Sequence, residues 1–250
     1  MASLYFPEEL IAVLRGAQRI AILTGAGVSA ESGIPTFRDV QIGLWAQYRP
    51  EDLATPEAFV RNPKLVWEWY AWRREIVATA RPNPGHYALA EMQCHTPRFT
   101  LITQNIDGLH QQAGSSDVLE LHGNLGRTKC SRENMVIEQW PITDQVPPPC
   151  PRCGAPLRPD VVWFGEMLPR DVLEAAAQAA TECDVFFSIG TSSLVEPAAS
   201  LARVALQSGA AVIEVNPTVT PLTSQATFVL TGPAGKMLPG LVEAVWGSET

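Results

Sequence analysis

The stretch RIAILTGAGVSAESG, residues 19–33, decides the fold class. Its first six residues, Arg19 to Thr24, form a short apolar run of branched side chains, which is typical of a buried parallel strand. The run ends at Gly25, where a glycine-rich loop begins. In α/β folds, a loop of this kind between a strand and a helix is a common place for a ligand to bind. The stretch therefore predicts an α/β fold with a site at the end of the first strand.

The glycines of this loop have two explanations. Gly25 and Gly27 would allow positive φ angles and let the backbone approach a pyrophosphate, whose charge exposed N–H groups can bind. They would equally suit a plain turn from a strand to a helix. Because Ala30 stands where the usual dinucleotide fingerprint has a glycine, the loop alone does not decide between the two.

Other segments repeat the pattern of the first strand. Each is apolar and ends in small or polar residues: Phe99–Thr103, Val185–Gly190, Ala211–Val215 and Thr227–Leu230. Helical stretches lie between them, notably Arg170–Cys183 and Pro197–Ser208, the latter stopped by Gly209. Alternating strands and helices predict a doubly wound, parallel, Rossmann-like sheet.

Two stretches do not fit this alternation, and we assign them to a smaller lobe. Residues 63–80 are helical and rich in tryptophan, and residues 130–159 are rich in proline and carry three cysteines. We expect one domain over residues 1–250. Its large Rossmann-like lobe would span about 1–35, 84–126 and 160–250, and its small lobe about 36–83, which is helical, and 127–159, which resembles a zinc ribbon.

Composition excludes several classes of function. The formal net charge of −8 argues against nucleic-acid binding, which requires a dense basic surface. We also expect no membrane partner, because no apolar run approaches the length of a membrane span, and Glu8 and Glu9 interrupt any signal-peptide pattern. Five cysteines do not make a disulfide framework in a chain of 250 residues, so a cytoplasmic location is expected.

A polar cluster follows the strand that ends at Thr103. It reads TQNIDGLH, residues 103–110, and its amide and carboxylate groups could bind a ribose or a carboxamide. His122 ends another short apolar run, LEL, residues 119–121. An isolated histidine more often has a structural role, which we expect for His86, His95 and His110.

Taken together, the motifs resemble the sirtuin family over nearly the whole chain. They are GAGVSAESGIPTFRD, TQNIDGLH, LHG, VVWFGE and GTSS, in this order. The resemblance implies a sirtuin-type catalytic domain with NAD as co-substrate. It implies that the acyl oxygen of a modified lysine attacks the ribose carbon that carries nicotinamide, and that the products are nicotinamide and O-acyl-ADP-ribose. It makes His122 the general base and places Asn105 beside it in catalysis.

The resemblance also assigns the binding residues. For NAD they are Gly25, Ala26, Gly27, Phe37, Arg38, Gln104, Asn105, Ile106, Asp107, Gly190, Thr191, Ser192, Asn216 and Ala234. Val162, Phe164 and Gly165 belong to the segment that receives the substrate as an added strand, where main-chain bonds would accept many sequences. The expected partners are therefore acyl-lysine proteins or peptides. The sequence leaves the oligomeric state open, and a monomer is compatible with it.

Tyr70 and Arg73 lie three residues apart, on one face of the predicted helix that begins near Pro63. An arginine can bind a carboxylate through two hydrogen bonds and a tyrosine hydroxyl can add a third. The pair resembles the class III branch of the sirtuins, which removes succinyl and malonyl groups, and Ala54 resembles its small residue beside the acyl chain. Without the family, a solvated arginine and a packed tyrosine would be the simpler interpretation.

The cysteines match the family only in part. Cys150 and Cys153 form one C-x-x-C half of a zinc ribbon, but the other half has Cys130 followed by Glu133 in place of the second cysteine. Glu133 could supply an oxygen ligand, so the sequence leaves both the binding of zinc and the fourth ligand open. We expect Cys94 and Cys183 to be core residues.

The sequence thus predicts an NAD-dependent protein-lysine deacylase that removes succinyl and malonyl groups and, more weakly, acetyl groups. Two alternatives use the same pocket. One is a non-catalytic NAD-sensing module that regulates a partner, and the other is a protein mono-ADP-ribosyltransferase. The intact His122, Asn105 and Asp107 argue against the first, and nicotinamide release without an acylated substrate would indicate the second.

Overall fold

A computed structural model describes residues 4–35 and 48–247. Its centre is a six-stranded sheet in which all neighbouring strands are parallel. The strands are β1 (Arg19–Thr24), β2 (Arg98–Thr103), β3 (Leu119–Glu120), β6 (Val185–Ile189), β7 (Ala211–Asn216) and β8 (Phe228–Thr231). Their order across the sheet is β3-β2-β1-β6-β7-β8, so the first three strands are added toward one edge of the sheet and the last three toward the other, with the reversal of order between β1 and β6. The predicted doubly wound sheet is confirmed.

Helices cover both faces of the sheet. One face packs against α1 (Glu8–Gly16), α6 (Pro84–His95) and α10 (Ala234–Trp246), and the other against α8 (Arg170–Glu182) and α9 (Ser200–Gln207). Successive side chains of β1 point to opposite faces of the sheet, so both faces of the strand are buried. Ile22 enters the first core and Leu23 the second. Short helices α2 (Ala26–Ala30) and α7 (Leu109–Gln112) follow β1 and β2.

The smaller part of the molecule has a helical and a ribbon section. The helices are α3 (Pro50–Leu53), α4 (Pro56–Arg61) and α5 (Pro63–Thr79), and the antiparallel ribbon is formed by β4 (Gly123–Cys130) and β5 (Leu157–Val161). Asn62 starts α5 by accepting a hydrogen bond from the Leu65 N–H, with Pro63 at the first helical position. The ribbon extends across the lobe boundaries that we expected near residues 126 and 160, so the division into lobes stays a prediction.

One predicted helix is shorter than expected. We expected a helix over 197–208, whereas α9 begins at Ser200 and residues 196–199 form a turn. The Ser200 N–H donates to the Pro197 carbonyl and the Leu201 N–H to the Ala198 carbonyl, which are the i→i−3 bonds of a turn and not those of an α-helix. At its other end, Gly209 has a φ of +89° and stops the helix as predicted. No helix in the described ranges is both long and apolar enough to cross a bilayer.

The loops that follow β1 and β6 cross each other in backbone contact. The Gly27 N–H donates to Gly190 O at 2.9 Å, and a Cβ atom built on Gly27 would lie 2.8 Å from the Gly190 Cα. Gly190 has a φ of +61°, and a Cβ atom there would lie 2.6 Å from the Val28 nitrogen. Gly25 has a φ of −130°, and the positive φ that we expected in the first loop occurs at Gly33, at +79°. The glycines are required here for the close crossing of two loops.

Candidate active site

Polar side chains that follow β1 and β2 meet at the carboxyl ends of these two strands, beside the reversal of strand order between β1 and β6. Asn105 Nδ2 donates to the Gly25 carbonyl at 3.0 Å and to Ser29 Oγ at 3.1 Å. Ser29 Oγ in turn donates to Asp107 Oδ2 at 2.8 Å. All three side chains are buried. In open α/β sheets ligands bind at the carboxyl ends of the strands near this reversal, and the structure gathers Asn105 and Asp107 at that edge of the sheet.

Asp107 is a buried carboxylate with several compensating contacts. Burial raises the pKa of Asp107, whereas hydrogen bonds from the Leu109 N–H and Ser29, and the positive charge of Arg73, act to lower it. The Leu109 bond is 2.9 Å long and fixes the second carboxylate oxygen. The contacts hold the carboxylate in one orientation, as a hydrogen-bonding group for a ligand requires.

His122 lies between β3 and β4, half-buried, and its ring orientation is fixed. His122 Nδ1 is 2.9 Å from the carbonyl oxygen of Gln104. A carbonyl oxygen only accepts hydrogen bonds, so Nδ1 carries the proton and Nε2 keeps its lone pair in the neutral ring. Burial lowers the pKa of His122 below the ordinary value for a histidine, against the opposing effect of the Gln104 bond. The ring is therefore neutral near pH 7 and able to accept a proton at Nε2.

A second polar layer lies directly beneath this cluster. Thr24 Oγ1 bonds Thr103 Oγ1 at 2.8 Å and His110 Nε2 at 2.9 Å, and Thr103 Oγ1 accepts from the Asn105 N–H at 3.0 Å. His110 packs against His86, with 4.8 Å between the ring centres. Both rings are buried, in agreement with the structural role that we expected for them.

The other predicted NAD residues lie at the ends of successive strands. Gly190, Thr191 and Ser192 follow β6, Asn216 ends β7, and Ala234 begins α10 just after β8. Asn216 Nδ2 donates to the Thr191 carbonyl at 2.6 Å, which joins two of these ends. Gly25, Ala26 and Gly27 lie opposite, after β1, and Gln104 and Ile106 flank Asn105 after β2. Phe37 and Arg38 lie outside the described residues.

Tyr70 and Arg73 are both buried on α5. The Tyr70 hydroxyl accepts a hydrogen bond of 3.0 Å from Trp163 Nε1, and the Arg73 guanidinium lies 5.3 Å from the centre of the Trp69 ring. Burial raises the pKa of Tyr70, so the hydroxyl keeps its proton at neutral pH. Ala54 is buried in the same cluster of apolar side chains. The structure thus brings these three predicted substrate residues into one region.

The segment predicted to receive the substrate contacts both the base and the acyl region. The Val162 N–H donates to the His122 carbonyl at 2.9 Å, and the Phe164 N–H donates to the Ala54 carbonyl at 2.9 Å. These two amides are therefore engaged within the chain and cannot pair with an added strand. The exposed Gly165 has a φ of +87°, and its amide has no acceptor among the described contacts.

The three cysteines and Glu133 converge at the far end of the β4–β5 ribbon. One ligand atom from each of Cys130, Glu133, Cys150 and Cys153 lies within 4.8 Å of the others, and Cys130 Sγ is 3.4 Å from Cys153 Sγ. Three sulfurs and a carboxylate oxygen at this spacing fit a tetrahedral zinc ion. Glu133 also pairs with Arg152 at 3.0 Å. The residues could hold zinc, with Glu133 in the position of the missing cysteine.

The two remaining cysteines differ in burial. Cys183 is buried as expected, but Cys94 is exposed, so our expectation that it belongs to the core was wrong. Cys94 lies near the end of α6, on the side of the helix away from Leu89 and Met92, which enter the core.

Sequence analysis missed two side chains that organise the site. Ser29 connects Asn105 to Asp107, and Trp163 bonds Tyr70. Both were within motifs that we identified. For Trp163 the available signal was alternation, because neighbouring residues of an extended segment point in opposite directions, so Trp163 must face away from Val162 and Phe164.

Comparison with known proteins agrees with this arrangement. Residues 25–197 match the model of the Sir2 family. An NAD-dependent protein deacylase of Methylococcus capsulatus is 52% identical over 248 residues, covering 96% of this chain and 97% of the relative. A crystal structure of a Sir2 homologue in complex with NAD is 47% identical, with a TM-score of 0.90 and coverage of 98% and 96% of the two chains.

A second solved structure, of a mutant Sir2 homologue with 2'-O-acetyl-ADP-ribose, is 49% identical with a TM-score of 0.88 and covers 96% of each chain. The family match extends from the first glycine loop to the turn before α9, and thus includes the Ser29–Asn105–Asp107 cluster, His122 and the β4–β5 ribbon. The chain belongs to the Sir2 family, the sirtuins.

Proposed function

We propose that this chain is an NAD-dependent protein-lysine deacylase that prefers acidic acyl groups. The observation that carries the activity is the arrangement at the carboxyl ends of β1, β2 and β3, where Ser29 holds Asn105 and Asp107 and a neutral His122 lies next to Gln104. Membership of the Sir2 family supports it. A relative named as an NAD-dependent protein deacylase and homologues solved with NAD and with 2'-O-acetyl-ADP-ribose support the co-substrate and the product.

We assign the NAD-binding roles by strand ends. The residues after β1, β6, β7 and β8 would hold the adenosine and pyrophosphate part, and those after β2 the nicotinamide ribose. NAD supplies the ribose carbon that receives the acyl oxygen when nicotinamide leaves. Asn105 and Asp107 have their side chains fixed by Ser29, so they can orient this ribose without losing side-chain freedom on binding.

His122 is assigned as the general base. Its Nδ1–H bond to Gln104 fixes the tautomer, and its lowered pKa keeps Nε2 unprotonated near pH 7. Nε2 can then remove a proton from a ribose hydroxyl. The Val162 N–H donates to the His122 carbonyl, so the position of the base is fixed relative to the substrate segment.

The acyl preference is assigned to Tyr70, Arg73 and Ala54. The buried Arg73 provides a positive charge, the Tyr70 hydroxyl a proton, and the small Ala54 side chain leaves space beside them. A succinyl or malonyl carboxylate would meet both donors. The carboxylate can accept hydrogen bonds from Arg73 that an acetyl methyl group cannot, and a hydrogen bond to a charged group contributes about 1.5–3 kcal/mol. Acetyl removal is therefore the weaker activity.

The expected substrates are acylated proteins or peptides, bound mainly through their backbone at Gly165 and its neighbours. We also propose a cytoplasmic location, which the five cysteines support because none of them is in a disulfide, as is usual in a reducing compartment.

The deciding experiment compares kcat/KM with NAD for one lysine peptide carrying either acetyl or succinyl, on the wild type and on His122→Tyr. We expect a strong preference for succinyl and loss of both activities in the variant. A preference for acetyl would retain the enzyme class and reject the roles of Tyr70 and Arg73. Turnover of neither peptide would indicate an NAD-sensing module, and nicotinamide release without an acylated peptide would indicate ADP-ribosyl transfer.

A further inference from the structure

We propose that Trp163 is a specificity-determining positioning residue, which directs the Tyr70 hydroxyl proton toward the acyl carboxylate. The inference rests on the proposed acyl preference and deepens it. The hydrogen bond between Trp163 Nε1 and the Tyr70 hydroxyl, 3.0 Å long and buried, carries it.

The direction of this bond is fixed by chemistry. An indole N–H can only donate, so the Tyr70 oxygen must accept. Accepting uses one lone pair of the oxygen and leaves the hydroxyl hydrogen pointing elsewhere. Because burial raises the pKa of Tyr70, that hydrogen is present at all pH values near neutrality. Trp163 thereby restricts the rotation of a hydroxyl that would otherwise turn freely.

Trp163 itself is held on several sides. The Arg158 guanidinium lies 3.3 Å from the centre of its ring, and Phe59 packs against it at 5.2 Å between ring centres. Arg158 also forms a two-pronged ion pair with Glu166, with bonds of 2.5 and 2.9 Å. Glu166 in turn accepts the Trp163 main-chain N–H at 2.8 Å. The indole cannot rotate or shift without breaking these contacts, so the orientation of its N–H is fixed.

The same residue lies within the segment that we assign to the substrate. Val162 bonds the chain at His122 and Phe164 bonds it at Ala54, on the two sides of Trp163. The side chain of Trp163 therefore connects the proposed peptide-binding segment to Tyr70. Its neighbours connect the same segment to His122 and to Ala54. A preset proton on Tyr70 favours a carboxylate over an uncharged methyl end, because only the carboxylate can accept it.

The test is a double-mutant cycle with Trp163→Phe, Tyr70→Phe and the double variant. For each, kcat/KM is measured with NAD on matched succinyl and acetyl peptides, and the melting temperature is recorded. We expect each single variant to lower the succinyl-to-acetyl ratio about tenfold, as for loss of one hydrogen bond to a charged group. The double variant should be no worse than Tyr70→Phe, because both changes remove the same directed proton.

Phe59→Leu is the matched control. It loosens the packing of the Trp163 ring but keeps its N–H, so both acyl substrates should change together and the ratio should stay within about twofold. The melting temperature then shows how much of any loss is structural, because a purely structural role for Trp163 would lower stability and both activities without changing the ratio.

Two results would overturn the inference while leaving the proposed function intact. They are an unchanged ratio in Trp163→Phe, and a double variant whose ratio falls by the product of the two single effects. A wild type that prefers acetyl would instead reject the acyl preference itself, and the inference with it.

Discussion

Ser29 Oγ donates a hydrogen bond of 2.8 Å to Asp107 Oδ2 while it accepts one from Asn105. One hydroxyl thus orients both an amide and a carboxylate. Ser29→Ala should lower kcat/KM about ten- to a hundredfold, because a buried carboxylate and a buried amide each lose a partner at about 1–3 kcal/mol. Steady-state kinetics together with NAD titration by calorimetry measure the effect. Ser224→Ala, at an exposed serine, is the control. Wild-type kinetics in Ser29→Ala would refute the orienting role.

The lowered pKa of His122 predicts the pH profile of the reaction. A base must be unprotonated, so kcat/KM should rise with pH through the pKa of the free enzyme and level off above it. Because burial lowers that pKa, the midpoint of the rise should lie below 6.5. Initial rates at subsaturating peptide between about pH 5 and 8 test this. His95→Gln, which changes an exposed histidine, should leave the profile in place. A midpoint above 7 would contradict the assignment.

Arg73→Met should reduce succinyl removal about ten- to a hundredfold, since a charge-assisted hydrogen bond contributes about 1.5–3 kcal/mol. Acetyl removal should change much less, so the preference should narrow or invert. Comparison of kcat/KM on the two peptides gives the result. Arg73→Lys keeps the charge but loses the two-pronged geometry, and it should fall between the wild type and Arg73→Met. Undiminished succinyl removal in Arg73→Met would show that the carboxylate binds elsewhere.

The buried pair of His86 and His110 should make the fold sensitive to acid. Burial lowers the pKa of His86 to about 4 and that of His110 to about 3. Both values lie below those of the unfolded chain, so the unfolded state binds more protons as the pH falls. The stability contributed by the neutral rings is complete above about pH 6.5 and is lost as the pH falls toward 4 and 3.

In the range where only the unfolded state binds the proton, each histidine lowers the free energy of unfolding by about 1.4 kcal/mol for each pH unit of acidification. Urea unfolding at several pH values between about 7 and 4.5 measures it. His110→Asn should have a shallower acid slope than the wild type, whatever its stability at neutral pH, and His95→Gln should keep the wild-type slope. Equal slopes in all three proteins would mean that other groups cause the acid sensitivity.

Glu133 should determine how tightly the cysteine cluster holds zinc. We expect one zinc ion per chain by elemental analysis and faster loss of the metal to a chelator than from Glu133→Cys, because a fourth thiolate is the usual ligand at such sites. Glu133→Ala should retain zinc least well. Arg152→Ala removes the ion-pair partner of Glu133 and should not weaken zinc binding. Equal zinc retention in Glu133→Ala and the wild type would exclude the carboxylate from the ligand set.

The regular part of the fold was predictable because its pattern is local. The segment Arg19–Thr24 was predicted as a strand and is β1, since a continuous apolar run between turn residues has few alternatives. Val185–Ile189 followed for the same reason. The prediction that Cys94 is buried failed because the face of a helix cannot be assigned from one residue type. Its neighbours Leu89 and Met92 indicate the buried side better.

The contacts that organise the site were not predictable in this way. Ser29 bonds a residue on the next strand end, and Trp163 bonds a tyrosine on a distant helix. Motifs indicated which segments matter, but which side chain reaches which depends on how strands are ordered and where loops cross. Those relations arise from tertiary packing, and a local pattern such as the alternation around Trp163 indicates only the side to which a side chain points, not its partner.

The crossing of the Gly27 and Gly190 loops has a consequence for folding order. β1 and β6 are neighbours in the sheet, yet the whole of β2 to β5 lies between them in the chain. This pairing is among the most non-local in the fold, and loop-closure entropy makes such pairings slow to form. The loop that follows β1 therefore acquires its shape only when both halves of the sheet have docked. Its amide protons should exchange with solvent mainly through opening of the whole sheet, so their protection would report completion of the fold.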